Sequence, residues 1–230
     1  APTVPVPKIR APEKLPTDID ELKKVEDDLR KQVRAIAKDL IAIELQSRER
    51  LFEVCELFRS IVSGDVVDPP AFLEWNTWRA FESLDAAKKV KPNFVFQDDM
   101  QPANPAPGNM PDLEIIYDDF VVVSEVTLKT GAVQWRDEAE PVPVHVIKVQ
   151  HENPGRPVFG IFIAPRIHDR TKNVFYGAKR TPDLFGDLVN IVPFSLEQFV
   201  DLLRFFADHY FHPGMLYNLL ARLDRARDNF

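Results

Sequence analysis

Pro111-Asp112-Leu113-Glu114-Ile115-Ile116-Tyr117-Asp118-Asp119-Phe120-Val121-Val122-Val123-Ser124-Glu125-Val126-Thr127-Leu128-Lys129 is the stretch that decides how this chain folds. Two short runs of apolar, largely β-branched residues flank Asp118-Asp119, the pattern of a β-hairpin with its turn at the two aspartates. The hairpin sets Asp112 at the start of one strand and Glu125 on its partner. Carboxylates on paired strands converge, and converging carboxylates need a cation. Period-two geometry puts Glu125, Thr127 and Lys129 on one face of the second strand, with Ser124, Val126 and Leu128 on the other.

The sequence around the hairpin supplies the rest of an α/β domain. Val158 to Ala164 is a nearly continuous apolar run, expected as a central strand covered on both faces. Leu188 to Pro193 is a weaker strand. Thr17-Asp18-Ile19-Asp20 is a helix N-cap signal, and helical spacing of apolar residues continues to about Ser63, with a bend or an exposed turn of the same helix at Gln46-Ser47-Arg48-Glu49-Arg50. Asp68-Pro69-Pro70 opens a second helix to about Ala86, carrying Phe72, Trp75, Trp78, Phe81 and Leu84. Lys88 to Pro111 reads as a loop, and Gly131 as the end of the hairpin's second strand. A helix from Val133 restarts at Pro141 and Pro143 and runs to about Gln150. Ser195 caps a later helix, and a final one covers about Gly214 to Arg227. The expected fold is a mixed central sheet flanked by helices, with an N-terminal helical extension. The expected divisions are a proline-rich tail over 1–16, the helical extension over 17–66 and the main domain over 67–230.

Composition narrows the function classes. The chain has 230 residues, enough for one good core, and a formal net charge of −7. An autonomous DNA binder is usually basic, so any affinity for DNA is expected to come from a further domain or chain. The single Cys55 excludes an internal disulfide and a cysteine-based zinc site; it lies in an apolar helical run, where a buried, inert thiol is expected. No apolar run would span a bilayer, and the proline-rich N-terminus has no apolar core of a signal peptide, so the expected compartment is the cytoplasm. The chain begins at Ala1 rather than Met, as either an excised piece of a longer protein or a chain trimmed at its start would.

The candidate chemistry gathers at the hairpin. A divalent metal held by Asp112 and Glu125 would polarise a phosphoryl oxygen and lower the pKa of a bound water. Lys129 would orient that water or stabilise developing negative charge. These are the parts of an Mg²⁺-dependent phosphodiesterase. Gln134 and Glu138, four apart on the next helix, share a face and would add a third carboxylate; His145 follows, in a register that the prolines blur. Glu74 lies between large apolar residues, where a charge faces solvent or a site. Each residue has a plainer reading: a solvated hairpin pair, surface glutamates, a strand-end lysine, a packed histidine, a helix-start hydrogen bond from Gln134. Arg166, His168, Asp169 and Arg170 follow the central strand and suit either a phosphate contact or a solvated loop. Trp75, Trp78 and Trp135 are more readily core than base platforms.

The arrangement Pro-Asp…Glu-x-x resembles the PD-(D/E)xK nuclease fold. The longer string PDLEIIYDDFVVVSEVTLKTGAVQWRDEAEPVPVH resembles more narrowly the cleavage domain of the AlwI/BstNBI group of restriction and nicking endonucleases, in which Glu-Val-Thr replaces the Glu-x-Lys half-motif. The resemblance covers roughly residues 68–210. It implies that Asp112, Glu125 and Glu138 are catalytic acids, that Glu74 matches an acid on an upstream helix, that these four are the expected metal residues, and that the chain hydrolyses phosphodiesters of double-stranded DNA with Mg²⁺, Mn²⁺ being a possible substitute. Thr127 stands where the wider superfamily has lysine, and Lys129, two residues on, is the expected substitute. The group carries a separate recognition domain, and no zinc-finger pattern, basic helix or clear helix-turn-helix is present here. A recognition domain or subunit outside this chain is therefore implied, with a second nuclease domain as a further possible partner.

Two other classes fit less of the pattern. A non-catalytic docking subunit on a nuclease fold would account for the missing lysine and the acidic balance; absence of Mg²⁺ or Mn²⁺ binding would discriminate it. A nuclease acting on RNA or free ends ranks last, because basic residues are not interleaved with exposed aromatics.

Overall fold

Asp18 starts the first helix by accepting hydrogen bonds from the backbone N–H groups of Asp20 and Glu21. The computed structural model describes residues 9–46, 48–182 and 185–226; Pro2, Pro5 and Pro7 of the expected tail, Ser47 of the expected bend and Arg227 of the expected last helix lie outside them. Helix α1 (Ile19–Leu45) does not run on to Ser63. At Gln46 ψ swings to 57°, and α2 (Arg48–Ser63) begins as a separate helix. The expected bend is thus a break, spanned by Arg50, which pairs with Glu44 at 2.7 Å and with Glu53 at 2.8 Å. Gly64, at φ +82°, takes the left-handed conformation that ends α2. Asp68 then caps α3 (Pro69–Ser83), with proline in the first turn where no N–H is needed.

The main sheet has the order β1-β4-β5-β6-β7, with β1 at Lys89–Pro92, β4 at Leu113–Ile116, β5 at Val121–Val126, β6 at Val158–Ala164 and β7 at Ile191–Ser195. β1, β4 and β5 are antiparallel neighbours; β5, β6 and β7 are parallel. The hairpin closes at Asp118-Asp119 with Leu113 opposite Ser124 and Ile116 opposite Val121. The stretch expected to be loop holds β1 and a ribbon of β2 (Val95–Phe96) and β3 (Pro102–Asn104). These pieces are too short, and too rich in Lys and Pro, to show a period of two.

Helices cover both faces of the sheet. Between β5 and β6 run α4 (Gly131–Glu138) and α5 (Pro141–Glu152), split at Pro141 as expected; between β6 and β7 runs α6 (Asp169–Arg180). After β7 come α7 (Leu196–Asp208), opened by a Ser195–Gln198 capping box, and α8 (Pro213–Ala226). One core joins Val122, Ile161 and Ile163 to α2, α3 and α7; the other joins Val121, Val123 and Phe162 to α5 and α6. This explains why β5 and β6 read as continuous apolar runs. α2 belongs to the first core through Val54, Cys55, Phe58 and Ile61, and the Cys55 thiol is buried and pushed up to about 11 by that burial.

Gly160 lets α5 approach β6 closely. A Cβ there would stand 2.8 Å from Val146 Cγ2 and 2.9 Å from Ile191 Cγ1. Gly160→Ala is expected to lower stability by about 1–3 kcal/mol through overpacking, read as a shift of the urea midpoint at constant slope. An unchanged midpoint would show that α5 yields at no cost.

Candidate active site

Register builds the site. β4 enters the sheet where antiparallel β5 leaves it, so Asp112, just before Leu113, faces the end of β5 that carries Glu125. The Val126 N–H donates to Asp112 Oδ2 at 2.7 Å and fixes that carboxylate. Glu125, 6% exposed, lies with Oε1 2.8 Å from Nδ1 of His145 on α5. From the opposite side α3 presents Glu74, also 6% exposed, whose Oε2 accepts the Ala106 N–H at 2.7 Å. These groups line a cleft of about 310 Å³.

The cleft's other wall is the loop after β5. Regular pairing with β6 stops at Val126, so the period-two extrapolation to Lys129 fails. Instead the Lys129 N–H turns back to donate to Thr127 Oγ1 at 3.2 Å. The Thr127 hydroxyl donates to Glu138 Oε1 at 3.1 Å, and Lys129 Nζ stands 3.0 Å from the same oxygen and 3.4 Å from Asp137 Oδ2. Lys129 and Glu138 thus meet through a loop and the end of α4, not through a shared strand face.

The electrostatics are those of a crowded acid cluster. Burial first, then the charges of Glu125 and Glu74, hold Asp112 well above the usual carboxylate range; the Val126 hydrogen bond opposes them. Glu125 is likewise held well above its ordinary value, by burial first and then by Glu138 and Glu74. Burial raises Glu74 to about 7 against the Ala106 hydrogen bond. His145 is lowered by burial, which outweighs its hydrogen bond with the Gly108 backbone. Burial alone would lower Lys129, yet Glu138 and Asp137 outweigh it and hold the ammonium above its ordinary value.

Among the described residues no lysine or arginine forms an ion pair with Asp112, Glu125 or Glu74. Buried oxygen donors without a paired cation suit a hard divalent ion. Among the described residues no three His, Cys, Asp or Glu side chains are drawn into a ready-made cage.

Of the residues singled out in the sequence, Asp112, Glu125, Glu74, Lys129, Glu138 and His145 all line this cleft. Gln134 is no helix-start cap: it is buried, and its side chain bonds the backbones of Lys129, Arg166 and His168. Arg166 and Arg170 are not among the residues lining the cleft. Trp78 is core, Trp75 donates to the Met100 carbonyl, and Trp135 carries the Arg170 guanidinium 5.0 Å from its ring centroid. Sequence reasoning missed Asp137 and the strap Pro105-Ala106-Pro107-Gly108, which bonds both Glu74 and His145. Two prolines in four residues were the available signal of a stiff strap.

The fold is similar to that of the small subunit of the heterodimeric restriction endonuclease R.BspD6I, at 22% identity and a TM-score of 0.66, over 75% of this chain and 88% of that one. No curated protein matches the chain. The family model for the AlwI restriction endonuclease matches residues 8–202, a span that takes in α3, the hairpin, the α4 acids and the whole sheet. With that span matched from before the first helix to within α7, the chain belongs to the AlwI restriction endonuclease family.

Proposed function

We propose that this chain is the cleavage part of a restriction or nicking enzyme, a divalent-metal-dependent hydrolase of DNA phosphodiesters, with residues 67–230 carrying the chemistry. The observation behind the reading is the convergence of Asp112 and Glu125 without a paired lysine or arginine, beside the Lys129–Glu138 pair, in one cleft where β4 begins and β5 ends. Asp112 and Glu125 are the residues that would hold Mg²⁺ or Mn²⁺, with Glu74 completing the acid set. The chemistry supplied by such an ion is polarisation of a phosphoryl oxygen and acidification of a water. His145 orients Glu125, and Thr127 orients Glu138. Glu138 in turn places the Lys129 ammonium, which donates to the attacking water or to the charge developing on phosphorus oxygens.

The neighbour of similar fold is one subunit of a heterodimeric enzyme. By analogy, and in keeping with the net charge of −7, sequence recognition is assigned to a second domain or subunit, which a second nuclease domain could accompany. No described helix is long and apolar enough to cross a membrane.

The test is conversion of supercoiled plasmid at low salt with Mg²⁺, Mn²⁺ or EDTA, with the chain alone and with its recognition partner. Metal-dependent nicking or linearisation is expected; none with the partner present would sink the reading. Lys129→Met is expected to lower kcat by about 10²–10³-fold while leaving calorimetric Mg²⁺ binding in place. The alternative, a non-catalytic docking subunit, draws on Thr127 at the superfamily's lysine position, and a chain that binds neither Mg²⁺ nor Mn²⁺ in the calorimeter would favour it.

A further inference from the structure

We infer that Gln134 is a positioning residue that locks the loop after β5 to the loop after β6, so that Arg166 and Arg170 take a DNA backbone phosphate beside the one that Lys129 faces. The inference rests on the nuclease reading for its ligand, but its geometry is independent of the acids. Gln134 has no exposed surface. Its amide nitrogen donates to the Lys129 carbonyl at 2.8 Å and to the Arg166 carbonyl at 2.9 Å, and its oxygen accepts the His168 N–H at 2.8 Å. One side chain therefore satisfies three backbone groups from two loops. The amide has one workable orientation, since a flip would set its oxygen against two carbonyls. An apolar residue of similar length would fill the space and orphan all three groups.

Those loops leave the ends of neighbouring parallel strands, the edge where open α/β sheets take their ligands. The next residue of α4, Trp135, holds the Arg170 guanidinium over its ring. Consecutive residues of one short helix thus place both the loop carrying Lys129 and the segment carrying Arg166 and Arg170. Both arginines are exposed, and a guanidinium fork matches phosphate geometry.

The test is binding of the full chain to a duplex DNA in EDTA, where nothing is cut, followed across NaCl concentration. The slope of log K against log salt reports how many phosphates the protein neutralises, about 0.9 for each. R166A/R170A is expected to flatten it by about that amount for every phosphate no longer engaged. Q134A removes no charge, yet is expected to flatten it too, whereas a core variant of comparable destabilisation remote from the site, such as Leu203→Ala, keeps the wild-type slope. A Q134A slope equal to wild type or an R166A/R170A slope equal to wild type overturns the inference; should the chain alone bind no duplex, the same slopes are read with its recognition partner bound. Should Q134A not fold, Gln134→Met serves, with amide exchange at His168 as second readout: faster exchange there with β6 still protected is expected, and unchanged exchange overturns the clamp. Cleavage by Asp112 variants tests the nuclease reading separately, so the two failures are distinguishable.

Discussion

Asp112→Asn and Glu125→Gln, combined, are expected to abolish plasmid cleavage and at the same time raise the melting temperature. The two effects have one cause. Both carboxyls are held well above their ordinary range by burial and by neighbouring acid charge, so at neutral pH the fold bears the cost of acids it would rather keep protonated. The amides remove that cost and keep the hydrogen bonds. The amide oxygen at position 112 can still accept the Val126 N–H, and the amide at position 125 can face His145 Nδ1 through either end. What they lose is the charge that the proposed metal site requires, and cleavage should fall by at least about 10³-fold. Each ~1 kcal/mol of relief should raise Tm by roughly 2–4 °C in a chain of this size. A rise in Tm also excludes unfolding as the reason for lost cleavage. A double variant that cuts within about tenfold of wild type, a small part of the loss expected from removing a metal site, would remove Asp112 and Glu125 from the catalytic machinery. One that melts lower would show the acids to be structural.

The opposed signs reflect how the site is built. β4 and β5 meet at Leu113 and Ser124, deep in a sheet covered on both faces, and Asp112 and Glu125 sit one step toward the strand ends from that register. Burial that would normally select against charge is here imposed by topology. His145 and the Gly108 backbone on one side, and Ala106 above Glu74, supply hydrogen bonds but no positive charge.

The hairpin and the central strand were readable because their patterns are local. Asp118-Asp119 sits between β-branched runs, and Val158 to Ala164 has no polar side chain. Asp112 and Glu125 could be paired for the same reason, since the turn fixes the register. Other features depend on contacts that no spacing carries. The break at Gln46 interrupts an apolar period that continues on both sides. β1 is a four-residue edge strand whose register comes from pairing with β4, and α6 is polar on most of its surface, so neither announced itself. Gly131 was expected to close a strand but opens α4 at φ +62°, because the sequence shows the need for a left-handed residue without showing which element needs it. Gln134 shows the limit most plainly: a glutamine near a helix start looks like surface until two loops, roughly thirty residues or more apart in the chain, close over it.

Metal-free protein should melt at progressively lower temperature as pH rises from about 5 to 8, and Mg²⁺ should restore more stability at the top of that range than at the bottom. Asp112, Glu125 and Glu74 have folded-state pKa values above their unfolded ones, Glu74 at about 7. Groups shifted in that direction stabilise the fold fully below their unfolded pKa, and the stabilisation is lost as pH rises through the folded value. The surface acids Asp98, Asp137 and Asp169 are shifted the other way, so their contribution is already complete above their unfolded pKa and stays flat across the window. His145 opposes the trend: its lowered pKa makes the fold gain as pH rises through the ordinary histidine range, but it is one group against five, since burial raises Glu82 and Asp85 as well. Mg²⁺ needs the ionised carboxylates and displaces their protons, so its stabilisation, RT ln(1 + [Mg²⁺]/Kd), grows as pH rises. Differential scanning at several pH values, with EDTA and with Mg²⁺, reads both slopes. The Asp112→Asn, Glu125→Gln protein should show a flatter metal-free slope and little Mg²⁺ shift. A metal-free Tm that climbs steadily from about pH 5 to 8, or a Mg²⁺ shift that is the same at both ends, would mean that these carboxyls are not the proposed metal-binding cluster.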